Sequence, residues 1–195
     1  HAFAQQHILK SPDGSIELKV KYDTLVHWQV DRGDKKLILP SEISMELATE
    51  EFPSAKDRIK KVEIIDVDET IMPAVAHKDS EIRDMYRQMT IEFKSGFTLV
   101  FRAYNDGVAY RFKTDFKGNV IVLNEKAEIN FPGGTEAWYP LEEGFMSHNE
   151  RSYIATSLDT IKEEHLASLP ALFKTGGINV RVKYEVRKPF LGNID

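Results

Sequence analysis

The 195 residues include no cysteine. Its absence excludes disulfides, thiol nucleophiles and cysteine-based zinc sites, so burial and hydrogen bonding must hold the fold. No apolar run approaches the ~20 residues that a membrane-spanning helix needs. An excess of basic charge is also missing. Twenty-six Lys and Arg stand against 31 Asp and Glu, for a net charge of −5, and that speaks against a nucleic-acid partner, which calls for a basic face. There is no Gly-x-Ser-x-Gly elbow, no phosphate-binding glycine loop and no His-Glu-x-x-His; each would have marked a self-contained catalytic site. Internal repeats and low-complexity segments are absent as well.

What is present is alternation. Hydrophobic residues make up 42% and charged residues 29%, the composition of a globular chain able to bury a core. The firmest pattern runs from Met89 to Phe112. Met89, Ile91 and Phe93 alternate with polar residues; Ser95-Gly96 punctuates; Phe97, Leu99, Phe101 and Ala103 then share one face. Asn105-Asp106-Gly107 turns the chain before Val108, Tyr110 and Phe112. This period of two predicts three consecutive strands joined by tight turns.

The remainder reads similarly. Ser11-Pro12-Asp13-Gly14 is a turn, followed by strands over Ile16–Tyr22 and Val26–Val30. Leu37-Ile38-Leu39 is a short run stopped by Pro40, and Ile43, Met45 and Leu47 form another. Thr49–Asp57 reads as a loop, Ile59–Val67 as a strand with a bulge or two-sided burial at Ile64-Ile65, and Glu69–Ser80 as irregular. Val120–Leu123, Ile129 with Phe131, and Ile178 to Tyr184 complete the strand candidates. Leu158, Ile161, Leu166 and Leu169 suggest one short amphipathic helix after Ser157. Many short, evenly punctuated strands imply an all-β fold, a β-sandwich with at most one short helix.

Three groups of residues could carry chemistry. Glu63, Asp66, Asp68 and Glu69 crowd carboxylates that calcium would accept, yet they lack the glycine and spacing of an EF-hand loop, and a solvated strand edge explains them better. Leu141–Tyr153 mixes acids, an amide, His148 and Tyr153 after Trp138-Tyr139, a mixture suited to sugar or metal contact. Taken by composition alone it is an ordinary surface loop with Trp138 in the core. The third group, His7, His27, His77, His148 and His165, shows neither the i, i+4 nor the i, i+2 spacing of a metal pair.

The run Phe101-Arg102-Ala103-Tyr104-Asn105-Asp106-Gly107-Val108-Ala109-Tyr110-Arg111-Phe112 resembles the N-terminal domain of glycoside hydrolase family 97, the bacterial α-glucosidases and α-galactosidases. Ser11-Pro12-Asp13-Gly14, Glu69-Thr70 with Pro73, Glu81-Ile82-Arg83 with Tyr86, Asn124-Glu125, Phe131, Trp138 and Pro140 follow in the family's order. The resemblance runs from about Gln5 to about Gly192. It implies a large twisted antiparallel sandwich of the galactose mutarotase-like kind, spanning residues 1–195 as one domain and stopping short of the family's full domain. The sandwich would pack on a catalytic β/α barrel and be inactive alone.

The resemblance further implies that Glu150, three residues before Tyr153, supplies one ligand to an active-site calcium shared with the barrel, bound weakly or not at all by the lone domain. Trp138, Tyr139, Asn149 and Tyr153 would be the carbohydrate contacts. The Ala2-Phe3-Ala4 pattern suggests export, periplasmic or secreted, with residues 1–4 left from a signal peptide or a tag. A free-standing carbohydrate-binding module, with oligosaccharide as its partner, is the alternative expectation.

Overall fold

A computed structural model describes residues 5–54, 57–75, 78–146, 150–162 and 164–184. The chain forms two compact units, residues 1–130 and 131–195. The first contains β1 (Gln5–Lys10), β2 (Ile16–Tyr22), β3 (Val26–Arg32), β4 (Lys35–Leu47), β5 (Glu51–Phe52), β6 (Ile59–Ile71), β7 (Ile82–Phe93), β8 (Phe97–Ala103), β9 (Val108–Thr114) and β10 (Val122–Ala127). One antiparallel sheet has the order β1-β2-β3-β4-β10, with β5 pairing β4; the other has the order β6-β7-β8-β9.

The alternation seen in sequence becomes the core of a sandwich. Leu18, Val20, Tyr22, Val26, Trp28 and Val30 from one sheet are buried, as are Met89, Ile91, Phe93, Leu99, Phe101 and Ala103 from the other. Rings bridge the two sheets: Tyr22 meets Phe93 edge-on at 5.3 Å, and Trp28 lies 5.6 Å from Tyr110. The turn after β7 places Gly96 at φ +92°, with Asp115 and Phe116 crowding the space a side chain would fill. Only glycine meets both demands comfortably.

Several expectations need correction. Pro40 does not stop a strand, because β4 runs through it. The β3–β4 register skips from Trp28↔Ser41 to Val30↔Ile38, so the proline sits in a bulge where no ladder N–H is required. The Thr49–Asp57 segment is not all loop: Phe52 is fully buried and lies 4.6 Å from Phe93 and 4.8 Å from Phe97. The strand β6 continues to Ile71, past the expected end at Val67. Ile64 and Ile65 mark neither a bulge nor two-sided burial, being paired in regular register with Met89 and Gln88 and both 43% exposed. Of Val120–Leu123, only the last two residues enter a strand, and all four are exposed.

The second unit holds β11 (Glu136–Glu142), β12 (Tyr153–Ser157), β13 (Leu166–Ala167), β14 (Ala171–Thr175) and β15 (Ile178–Val182). Its sheet has the order β12-β11-β14-β15, with β13 pairing the end of β11. Ala137, Tyr139 and Ala171 are buried, and Leu158, Ile161 and Phe173 pack on them. The expected amphipathic helix is instead a single 3₁₀ turn, Leu158–Thr160. One turn suffices to bring Leu158 and Ile161 onto the sheet, after which the backbone at Ile161 is extended. Leu166 is drawn into β13, where its neighbour across the pair is Glu142.

Candidate functional site

The two turn motifs that looked separate in sequence meet in the first unit. The Asp13 carboxylate accepts hydrogen bonds from the Ser11 hydroxyl at 2.6 Å and the Ser15 amide at 2.9 Å. The Ser11 hydroxyl, followed by the Ser15 amide, holds the Asp13 carboxyl below its usual range. The Asp13 amide donates to Asn105 Oδ1 at 3.0 Å, and Tyr104 N–H to the Gly107 carbonyl at 2.8 Å. Asn105-Asp106-Gly107 is therefore a turn, as expected, and a staple to the turn 92 residues earlier.

Three acids of the run on β6 are ion-paired, Asp66 and Asp68 across to β7 and Glu63 within β6 itself. Asp68 takes a bidentate contact from Arg83 at 2.8 and 2.7 Å, Asp66 pairs with Arg87 at 2.6 Å, and Glu63 with Lys61 at 3.1 Å. A depression of about 340 Å³ lies between the Pro12 turn and these strands. Asp66 and Asp68 line it, but Glu150, Trp138, Tyr139 and Tyr153 do not.

Those residues belong to the second unit, around the β11–β12 connection. Trp138 pairs with Ala155, and Pro140 with Tyr153. Opposed residues of an antiparallel pair share a face, so Trp138 and Tyr153 are diagonal neighbours on one side of the sheet. Trp138 is half-buried and Tyr153 exposed, with the Tyr153 hydroxyl donating to the Pro170 carbonyl at 2.6 Å. Tyr139 projects from the opposite face into the core, 4% exposed, its hydroxyl 3.3 Å from His165 Nδ1. The fold thus brings Trp138 and Tyr153 together and separates Tyr139 from both. Asn149, like His77 and His148, lies outside the described residues.

Three carboxylates belong to this connection, and their environments differ. Glu142, the last residue of β11, is buried, with its side chain only 3% exposed. It accepts a hydrogen bond from the Ser168 hydroxyl and forms an ion pair with Arg151 Nε at 3.7 Å. That separation is too long for a hydrogen bond. Glu143 lies 3.4 Å from the other end of the same guanidinium. Glu150 is exposed and makes no hydrogen bond or ion pair with the described residues. Among the described residues nothing occupies its oxygens, and a hard divalent ion takes such oxygens.

An exposed carboxylate of this kind can serve a hard divalent ion as one oxygen ligand. No group of three metal-ligating side chains occurs among the described residues, whereas calcium takes six to eight oxygens. Sequence reasoning placed Glu142 and Arg151 in the Leu141–Tyr153 group without singling them out, and it missed Ser168. Hydropathy offers no signal for them, because at the end of β11 the expected order is inverted. Leu141 is 37% exposed while Glu142 is buried.

A two-sheet antiparallel sandwich followed in the chain by a short five-stranded sheet makes this an all-β protein. The chain belongs to the glycosyl-hydrolase 97 N-terminal family, whose model matches residues 9–183. It is 28% identical over 186 residues to a retaining alpha-galactosidase of Bacteroides thetaiotaomicron, covering 90% of this chain and 28% of that protein. Two solved structures share the fold at 20% identity. One is a glycoside hydrolase family 97 enzyme from Pseudoalteromonas sp. strain K8 in complex with panose, with a TM-score of 0.73 over 87% of this chain and 27% of that one. The other is a beta-arabinopyranosidase, with a TM-score of 0.76 over 88% and 30%. The chain therefore spans between a quarter and a third of the length of the relatives it matches. No helix among the described residues is long and apolar enough to cross a membrane.

Proposed function

We propose that this chain is the non-catalytic N-terminal domain of an exported family 97 glycoside hydrolase acting on α-glucosides or α-galactosides. It packs on a catalytic β/α barrel and contributes Glu150 to a calcium ion at the active site. The observation that supports the reading is the exposed carboxylate of Glu150, which meets no partner among the described residues, beside Glu142 and Glu143, which Arg151 engages. Calcium bound there would polarise the substrate or a water molecule. A carboxylate from this chain would also couple its position to that of the barrel, since one ion takes ligands from both. The retaining alpha-galactosidase relative supports the substrate class.

The test compares the lone domain with the full-length protein on aryl α-glucosides and α-galactosides, with and without a calcium chelator. Turnover by the full-length protein alone, lost on chelation, is expected. Turnover by the lone domain at a comparable rate overturns the reading. Trp138 and Tyr153 on one sheet face favour a second reading, a free-standing carbohydrate-binding module, since an aromatic face is what a sugar ring stacks upon. Calorimetry with maltooligosaccharides and galactosides tests it: heat from the isolated domain that disappears in Trp138→Ala would support the module.

A further inference from the structure

One stretch of the first unit breaks the alternation that builds the rest. Val120, Ile121, Val122 and Leu123 are consecutive aliphatics, each between 42% and 66% exposed. Successive side chains of an extended chain point to opposite faces, so neither face of this stretch is covered by the core. The stretch is nevertheless held in place. It follows a turn at Gly118, φ +85°, the Ile121 carbonyl accepts the Ala48 amide at 3.0 Å, and Val122 pairs with Leu47 as β10 begins.

It also lies on an open edge. β10 ends its sheet, and among the described residues no strand pairs its outer side. An edge leaves a row of backbone N–H and C=O groups open to another chain, and free edges are normally blunted by charge or proline. β6, which ends the other sheet, carries Lys60, Lys61, Glu63, Asp66, Asp68 and Glu69. From Asn119 to Asn124 there is neither charge nor proline. Uncharged aliphatics of high strand propensity on an edge are an aggregation hazard when left in water. Beside them is a depression of about 290 Å³, lined by Ala48, Phe116, Val120 and Ile121 as well as by Glu50 and Lys117. An apolar side chain arriving with a partner would find a seat there.

We infer that this edge is where the remainder of the polypeptide docks. An extended segment from beyond residue 195 pairs along Val120–Leu123 and seats an apolar side chain in the depression. The inference rests on the reading of this chain as the N-terminal domain of a longer enzyme. The relatives supply the occupant, since the greater part of each lies outside the portion matched by this chain. Tethering favours that occupant over a second copy, because a segment of the same molecule is present at an effective concentration of about millimolar. The uncharged character of the edge agrees, since permanent interfaces are more apolar than transient ones. Main-chain hydrogen bonds to the added strand would satisfy the open side of β10, and the depression would fix its register.

The test is a photocrosslink in the full-length protein, with p-benzoylphenylalanine in place of Ile121 and the product mapped by mass spectrometry. A crosslink to a peptide from beyond residue 195 of the same molecule is expected. A crosslink to a second copy, a crosslink to another part of residues 1–195, or none at all overturns the inference. Leu123→Asp gives a second measurement, since a charge placed beneath a docked segment is costly whereas one on a free surface is not. Cleavage tracks the population of the open form, so protease should release the domain from this variant about 10-fold faster than from wild type, with circular dichroism unchanged. Equal rates overturn the docking. Should Leu123→Asp fail to fold, the crosslink still decides. Calcium-dependent turnover by the full-length protein together with a crosslink elsewhere overturns this inference and leaves the enzyme reading standing. A lone domain as active as the full-length protein overturns both.

Discussion

The two units of this chain are stabilised to very different degrees. Among the described residues, all but three of the buried apolar side chains belong to the first unit, where two sheets give each strand an apolar surface to face. The second unit has one sheet, and its core is Ala137, Tyr139 and Ala171 with three partly buried neighbours. Most of the family's identifying motifs lie in the heavily packed unit, while the exposed Glu150 lies in the sparsely packed one. Segments with few buried contacts open most readily, and functional groups are commonly drawn from them. The difference teaches that the recognisable part of the chain is its scaffold. The part proposed to act on chemistry is held by a few polar contacts instead.

The two tryptophans make this contrast measurable, because Trp28 reports on the first unit and Trp138 on the second. The largest expected effect is Phe52→Ala. This fully buried ring touches Phe93, Phe97 and Phe112, and its removal should cost about 3–5 kcal/mol. Urea unfolding followed through Trp28, in a Trp138→Phe background, should register that loss. A change below about 1 kcal/mol would show that the aromatic cluster is not the centre of the first unit's stability.

Next in size is Gly96→Ala, where the left-handed backbone and the clash of an added methyl with the Asp115 carboxylate act together. It should destabilise by about 2–3 kcal/mol. In the second unit Gly134, at φ +74° but with open space around it, should cost only about 1 kcal/mol as alanine. Equal losses at the two positions would mean that backbone strain alone, and not crowding, sets the cost. Asn105→Ala follows, removing the acceptor for the Asp13 amide at 3.0 Å; about 1 kcal/mol should be lost by denaturant titration. Full retention of stability would reduce the contact between the two turns to coincidence.

The smallest effect is a pH dependence confined to the first unit. Burial holds the His7 imidazole below its ordinary value of 6.5, and its Nε2 is buried without a partner. The folded state therefore resists a proton that the unfolded chain accepts. Stability should be complete above the unfolded pKa and should decline as pH falls through about 6.5 toward the lower folded value. The Asp13 and Glu17 carboxyls, both held below their ordinary values by hydrogen-bonding partners, add to the decline only in a more acidic window. The urea midpoint read through Trp28 should be lower at pH 5.5 than at pH 7.5, and His7→Gln should shrink the difference. An unchanged difference in that variant assigns the dependence elsewhere.

Much of the first unit was legible because a half-buried strand announces itself by alternation, as Met89–Phe93 and Phe97–Ala103 do. What stayed hidden depended on partners distant in the chain. Phe52 stands alone in a polar stretch, so nothing local marks it as the hub of four rings. Pro40 looked like a strand end because a bulge is defined by the register of the neighbouring strand. Leu158 and Ile161 have helical spacing, but a sheet beside them needed only one turn. At the candidate site, Glu150 was found through the family resemblance and not through any pattern of its own. Glu142 was concealed, because hydropathy assigns a charged residue to water.

The amino-acid sequence by itself determined the all-β class, the turns and most of the first core. Those follow from side-chain periodicity and backbone preference within a few residues. Tertiary structure alone decided that the Ser11–Gly14 and Asn105–Gly107 turns are joined and that Trp138 and Tyr153 share a face while Tyr139 does not. It also decided that Glu142 at the end of β11 is buried and paired while Glu150 is exposed. The physical reason is the same in each case. A hydrogen bond or ion pair between residues far apart in the chain exists only once the sheets have brought them within a few ångströms.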